Sequence, residues 1–139
     1  MAPLTYDADQ IQRYYDRIKL PSARRVLTVD GLDPETSLAY LKLLQQHHLV
    51  AIPFESLSLH YGPHTVSLHP DALFRKVVCS NGRGGYCMEN NFLFGTLLRS
   101  VGYTLYPAGA RVMHSPEYTG CETACRLLPL SHNRRCTDA

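Results

Sequence analysis

Arg83-Gly84-Gly85-Tyr86-Cys87, followed by Met88-Glu89-Asn90-Asn91, is the stretch on which the reading of this sequence turns. Glycine fills three of positions 82 to 85, which marks a loop, and a run compatible with helix begins at the cysteine. A thiol attacks only as the thiolate, and an ordinary cysteine, with a pKa of about 8.5, is mostly protonated at neutral pH. Three local features favour the anion at Cys87. The expected helix N-terminus carries partial positive charge. Arg83 adds positive potential from four residues upstream. Gly84 and Gly85 let the backbone turn sharply and leave the sulfur uncovered. Backbone N–H groups at the same helix start would hold an oxyanion during acyl transfer. The local features leave open a buried, structural cysteine. A phosphate-binding glycine loop is set aside, since neither the Gly-Lys-Ser/Thr ending nor the dinucleotide spacing occurs.

Working outward, the pattern is mainly helical. Cys87 to Ser100 reads as a helix with Cys87, Asn91, Phe94, Leu98 and Val101 on one face, terminated by Gly102. His69-Pro70-Asp71 opens a helix carrying Leu73, Phe74, Val77 and Val78. Asp33 as cap and Pro34 at the first helical position open another. Its expected stripe is Leu38, Leu41, Leu44 and His48, ending near His47 or His48 because Pro53 disfavours helix just before it. Ala8 to Lys19 has an apolar face of Ile11, Tyr14, Tyr15 and Ile18, and Pro21 stops it. Ile52 to Tyr61 reads as extended chain with a turn at Gly62-Pro63, and Tyr103 to Met113 as strands about a turn at Pro107 to Gly109. From His114 onward no period is found.

Composition narrows the function classes. The chain has 139 residues, 45% hydrophobic and 19% charged, which fits a folded domain of ordinary size. A net charge of +2, with no Lys/Arg run longer than two, gives no reason to expect nucleic acid. No apolar stretch approaches the roughly 18 residues of a membrane span. Met1 to Gln10 carries acids and no hydrophobic run, so neither a signal nor a transit peptide is expected and a cytoplasmic location is the default. Cys79 and Cys87 lie in the first 120 residues and Cys121, Cys125 and Cys136 in the last 19. An odd count suits reduced thiols better than a disulfide framework.

The cysteine loop with Glu89-Asn90-Asn91 strongly resembles the active-site signature of arylamine N-acetyltransferases. Other segments agree in order. Ile11 to Leu20 resembles that family's first helix. His48 with Ile52-Pro53-Phe54-Glu55 resembles the segment after its second. Leu73 to Val78, Gly102-Tyr103 and Gly109-Ala110-Arg111-Val112 match as well. The likeness covers about residues 6 to 113. It implies a ping-pong transfer in which Cys87 takes the acetyl group of acetyl-CoA as a thioester and passes it to an arylamine or arylhydrazine, a reaction of xenobiotic metabolism. Acetyl-CoA is then a co-substrate, with no bound cofactor and no metal. The resemblance also implies an ion pair between Glu55 and Arg83 that ties the extended segment to the catalytic loop. It places Phe54 on the acceptor pocket, the other reading being a core aromatic. The implied fold is α+β and similar to papain-like and transglutaminase-like enzymes: a helical domain over 1–86, the cysteine helix and the start of a β-barrel over 87–120, and an atypical tail over 121–139.

The family's thiolate pairs with a histidine oriented by an aspartate, and this part of the pattern departs. His114 precedes Ser115-Pro116, a turn; His132 lies in a polar stretch; Asp138 is one residue from the end. His132 is the remaining candidate base. His47, His48, His60, His64 and His69 are expected at the surface or at helix ends. Resemblance fades after Tyr118-Thr119-Gly120, as expected of a truncated or frame-shifted acetyltransferase. Cys121, Cys125, His132 and Cys136 would form a Cys₃His zinc set, but their intervals of three, six and three residues fit no common finger. A non-catalytic fragment that binds a partner, and another papain-like cysteine enzyme, are the alternative functions.

Overall fold

A computed structural model describes residues 5–62, 64–80 and 82–109. The described elements are α1 (Ala8–Arg17), a 3-10 turn (Ser22–Arg24), α2 (Pro34–Ala51), α3 (Leu57–Tyr61), α4 (Pro70–Val77) and α5 (Cys87–Ser100). The described residues through Thr104 form one compact unit. Among the described residues there is no strand, and the extended pairing is one isolated parallel bridge between Phe54 and Gly85. Residues 103–109, the described part of the expected barrel start, carry no strand. Ala110 to Met113 and the tail lie outside the described residues.

The helix starts follow local chemistry. Asp7 accepts from the Gln10 amide at 2.8 Å while Gln10 returns the bond to the Asp7 amide at 3.0 Å, a capping box. Asp33 caps α2 through the amides of Glu35 (3.1 Å) and Thr36 (3.0 Å), with Pro34 in the first turn. The ends depend on backbone geometry. Lys19 adopts φ +54, which lets the Leu20 amide reach Tyr15 O and closes α1 two residues before the expected Lys19. Gly102, at φ +104, does the same for α5, with the Tyr103 amide on Leu98 O.

α2 runs past His48 to Ala51. Only Ile52, the residue before Pro53, turns extended (φ −106, ψ 109), so the proline acts at the last position it can. Its buried stripe is Tyr40, Leu44 and His48, and Leu38 is 46% exposed. Tyr40 takes the inward place because its hydroxyl bonds Tyr15 Oη at 3.1 Å and accepts from the Val26 amide at 3.1 Å. The segment Ile52 to Tyr61 is a second correction. After the Phe54 bridge it coils into α3, because the Glu55 carboxylate takes the Leu57 amide at 2.6 Å and Ser56 O takes those of Leu59 and His60.

The core gathers Ile11, Tyr14, Tyr15 and Ile18 of the first helical stretch, Leu73, Phe74 and Val77 of α4, and Leu93, Phe94, Leu97 and Leu98 of α5. α4 packs directly on α5. In α5 the buried face is rotated from the expected one: Leu93 and Leu97 are inside, Asn91 is exposed and Cys87 is half-buried.

His48, expected on the stripe of α2 and at the surface or a helix end, lies in the last turn of α2 and in this core, 5% exposed. Its Nδ1 lies 2.7 Å from Tyr14 Oη and its ring 4.8 Å from that of Phe94. Burial, with the Arg17 charge adding to it, pushes its pKa down to about 4. The folded chain therefore holds His48 neutral between about pH 4 and the ordinary value of about 6.5, while the unfolded chain protonates it. Its stabilising contribution is complete above about pH 6.5 and is lost as pH falls toward 4, by about 3 kcal/mol in all. Melting temperature measured from pH 7 to 4 should fall in this window, and His48→Gln should flatten that part of the profile. An unchanged slope in the variant would contradict the assignment.

Candidate active site

Cys87 occupies the first position of α5 as a free thiol. Tyr86, the cap residue, is extended (φ −71, ψ 166) and makes no side-chain cap bond. Glu89 reaches back instead, its carboxylate accepting the Tyr86 amide at 2.8 Å. The helix start behind the cysteine is thus fixed by a residue within its own first turn.

The two glycines of the loop act by size. Neither has positive φ, and the left-handed turn lies at Gly82 (φ +77). A Cβ on Gly84 would run into the Pro53 carbonyl, and one on Gly85 would come within 2.8 Å of Asn90 Oδ1 and 2.9 Å of Glu89 Cβ. The bare backbone lets the loop lie against Pro53-Phe54 on one side and the first turn of α5 on the other. Three bonds fasten it there: Gly85 N to Pro53 O (3.3 Å), Glu55 N to Gly85 O (3.0 Å) and Asn90 Nδ2 to Gly85 O (3.0 Å). The sharp turn expected of Gly84 and Gly85 is replaced by close approach.

The expected pair between Arg83 and Glu55 is present, with Nη2 at 3.0 Å and Nε at 3.1 Å from one carboxylate oxygen. Arg83 also reaches Ser58 Oγ at 3.3 Å. Burial alone would push the Glu55 carboxyl up, but the Leu57 amide, Arg83 and Lys76 outweigh it and hold it below its ordinary value. Phe54 is not a core aromatic: it is 65% exposed, its ring 5.5 Å from that of Tyr86.

Two cations of this site were not singled out from sequence. Arg17 donates to Val77 O at 3.0 Å, Ala51 O at 2.8 Å and Arg83 O at 3.0 Å, joining the ends of α4 and α2 to the cysteine loop. Lys76 lies between Glu89 (2.8 and 2.9 Å) and Glu55 (3.7 Å). Nothing in the local sequence marks either; Glu89, three residues after the cap, carried the one available signal.

An open cleft of about 500 Å³ lined by Asp16, Arg17, Lys19, Val78, Cys79, Ser80 and Gly82 includes neither Cys87 nor Phe54. Among the described residues no group of metal-ligating side chains occurs, and no helix is long and apolar enough to cross a membrane. His114, His132, Asp138 and the three tail cysteines lie outside the described residues.

The sequence is similar to those of known proteins. The N-acetyltransferase family model matches residues 37–128. N-malonyltransferase FDB2 of Gibberella moniliformis is 40% identical over 119 residues, which is 80% of this chain and 34% of the relative. The liver isozyme of arylamine N-acetyltransferase of Gallus gallus is 38% identical over 99 residues, 71% of this chain and 31% of the relative. Arylamine N-acetyltransferase 2 of Rattus norvegicus is 31% identical over 106 residues, 76% and 33% respectively. The chain spans about a third of the length of these curated relatives. With the family match extending over most of the sequence that builds the cysteine loop and its supports, the chain belongs to the arylamine N-acetyltransferase family of acyltransferases.

Proposed function

We propose that Cys87 is the acyl-accepting nucleophile of an N-acetyltransferase reaction with acetyl-CoA as donor and an arylamine or arylhydrazine as acceptor. The supporting observation is the half-buried thiol at the first position of α5, behind a loop clamped to Pro53 and Glu55. The Cys87 sulfur attacks the thioester carbonyl carbon. The carbon–sulfur bond to CoA breaks, and CoA leaves as its thiol with the proton that Cys87 gave up. Amides of the first helical turn face the developing oxyanion. The amine nitrogen then attacks the Cys87 thioester, forming the amide and returning a proton to the thiol. Phe54 and Tyr86 supply an aromatic edge against which an aryl ring packs.

Incubation with acetyl-CoA followed by intact mass and peptide mapping tests this. One acetyl adduct on Cys87, discharged by an arylamine, is expected. Cys87→Ala should form no adduct and lower acyl transfer by about 10³-fold or more. An unmodified Cys87 in the folded protein would sink the reading. The fungal relatives named as N-malonyltransferases favour a second donor, malonyl-CoA, so a parallel incubation decides which acyl group is taken.

A further inference from the structure

The chemistry proposed for Cys87 leaves unused a buried cluster of charges at the foot of its helix. Glu89, two residues after the cysteine, is 5% exposed at its side chain, and Glu55 is 13% exposed. Arg83 answers Glu55 from the solvent side, 40% exposed. Lys76, on α4 and 17% exposed, gives its ammonium to both oxygens of Glu89 at 2.8 and 2.9 Å and stands 3.7 Å from Glu55. Among the described residues it is the cation paired with Glu89. The cluster thus balances two carboxylates with two cations.

That balance bears on the thiol. The positive end of α5 favours a negative charge, but Glu89 already places one in the first turn. Its carboxylate lies on the amide of Tyr86, the residue bonded to Cys87. Without Lys76 this buried negative charge would be uncompensated and would oppose a second one on the sulfur. Arg17, whose guanidinium lies on Arg83 O, and Arg83, engaged with Glu55, are the other cations facing the loop.

We propose that Lys76 is a positioning residue for acyl transfer, neutralising Glu89 so that the α5 terminus stays available to the Cys87 thiolate. This rests on the reading of Cys87 as nucleophile. It makes Glu89 a scaffold whose charge must be cancelled, and it assigns that task to a neighbouring helix.

The test is the rate of iodoacetamide alkylation at Cys87, resolved from the other cysteines by peptide mapping and expressed as the rate at pH 7 relative to that at pH 9.5. Lys76→Met should lower this ratio about five-fold or more, and Lys76→Arg should keep it within about two-fold. Lys76→Met combined with Glu89→Gln should restore it, because the stranded charge is gone while the amide oxygen still accepts the Tyr86 N–H. Glu89→Gln alone, which leaves a surplus positive charge, should raise it. An unchanged ratio in folded Lys76→Met overturns the proposal, as does a double variant that stays as low as the single one. If Lys76→Met does not fold, the Glu89→Gln variant decides: an unchanged or lowered ratio overturns the proposal. The acetyl adduct on the wild-type chain is read separately. A missing adduct with a Lys76-dependent ratio would sink the acyl-transfer reading and leave the charge relation standing.

Discussion

Alanine at Gly84 is expected to cost about 3 kcal/mol or more and to abolish acyl loading of Cys87. The new Cβ would lie inside the Pro53 carbonyl oxygen and 2.8 Å from its carbon, with the Pro53 ring at 3.0 Å. These atoms are backbone or part of a ring whose φ is locked, so no side-chain rotation relieves the clash. The loop must move away from Pro53. That motion breaks the bridge between Phe54 and Gly85 and draws Arg83 from Glu55. Thermal melting and acetyl-adduct formation read the two consequences together. A variant melting within about 2 °C of the wild type, and loading at its rate, would show that the close approach does not matter.

Arg17→Ala is expected to destabilise the chain by about 3–5 kcal/mol, through loss of three charge-assisted bonds to carbonyls of three different segments. Val77 and Ala51 are the last residues of α4 and α2, where helix carbonyls lack partners within the helix and partial negative charge collects. The guanidinium answers both helix ends and the cysteine loop at once. Lysine keeps the charge but not the planar fork, so Arg17→Lys should recover only a minor part of the loss. Urea unfolding of the two variants separates charge from geometry: both midpoints should fall without a change in slope. If Arg17→Lys matched the wild type, charge alone would be sufficient.

Much of the helical framework was legible because its signals are local. Asp33 with Pro34, Pro70 and Gly102 each act within one turn of the element they start or stop. The cysteine at a helix start behind glycines was legible for the same reason. Errors arose where distant partners decide. The stripe of α2 turns on Tyr40 because its hydroxyl donates to Tyr15 Oη and accepts from the Val26 amide. His48 is buried because Tyr14 and Phe94, 34 and 46 residues away in sequence, close over it. α3 forms because Glu55, held between Arg83 and Lys76, turns a carboxylate oxygen to the Leu57 amide.

The glycines of the opening motif divide the two kinds of information. By itself the sequence determined that Arg83 to Cys87 is a loop entering a helix, because capping and glycine preferences depend on neighbours within a few residues. Only the tertiary structure decided why the loop needs Gly84 and Gly85: room for the Pro53 carbonyl and the first turn of α5. It also decided that Arg17 reaches the loop before the cysteine and that Lys76 reaches the first turn of α5. Packing brings them from 66 and 13 residues away to the partners they hold, Arg83 and Glu89, and no short-range pattern encodes such contacts.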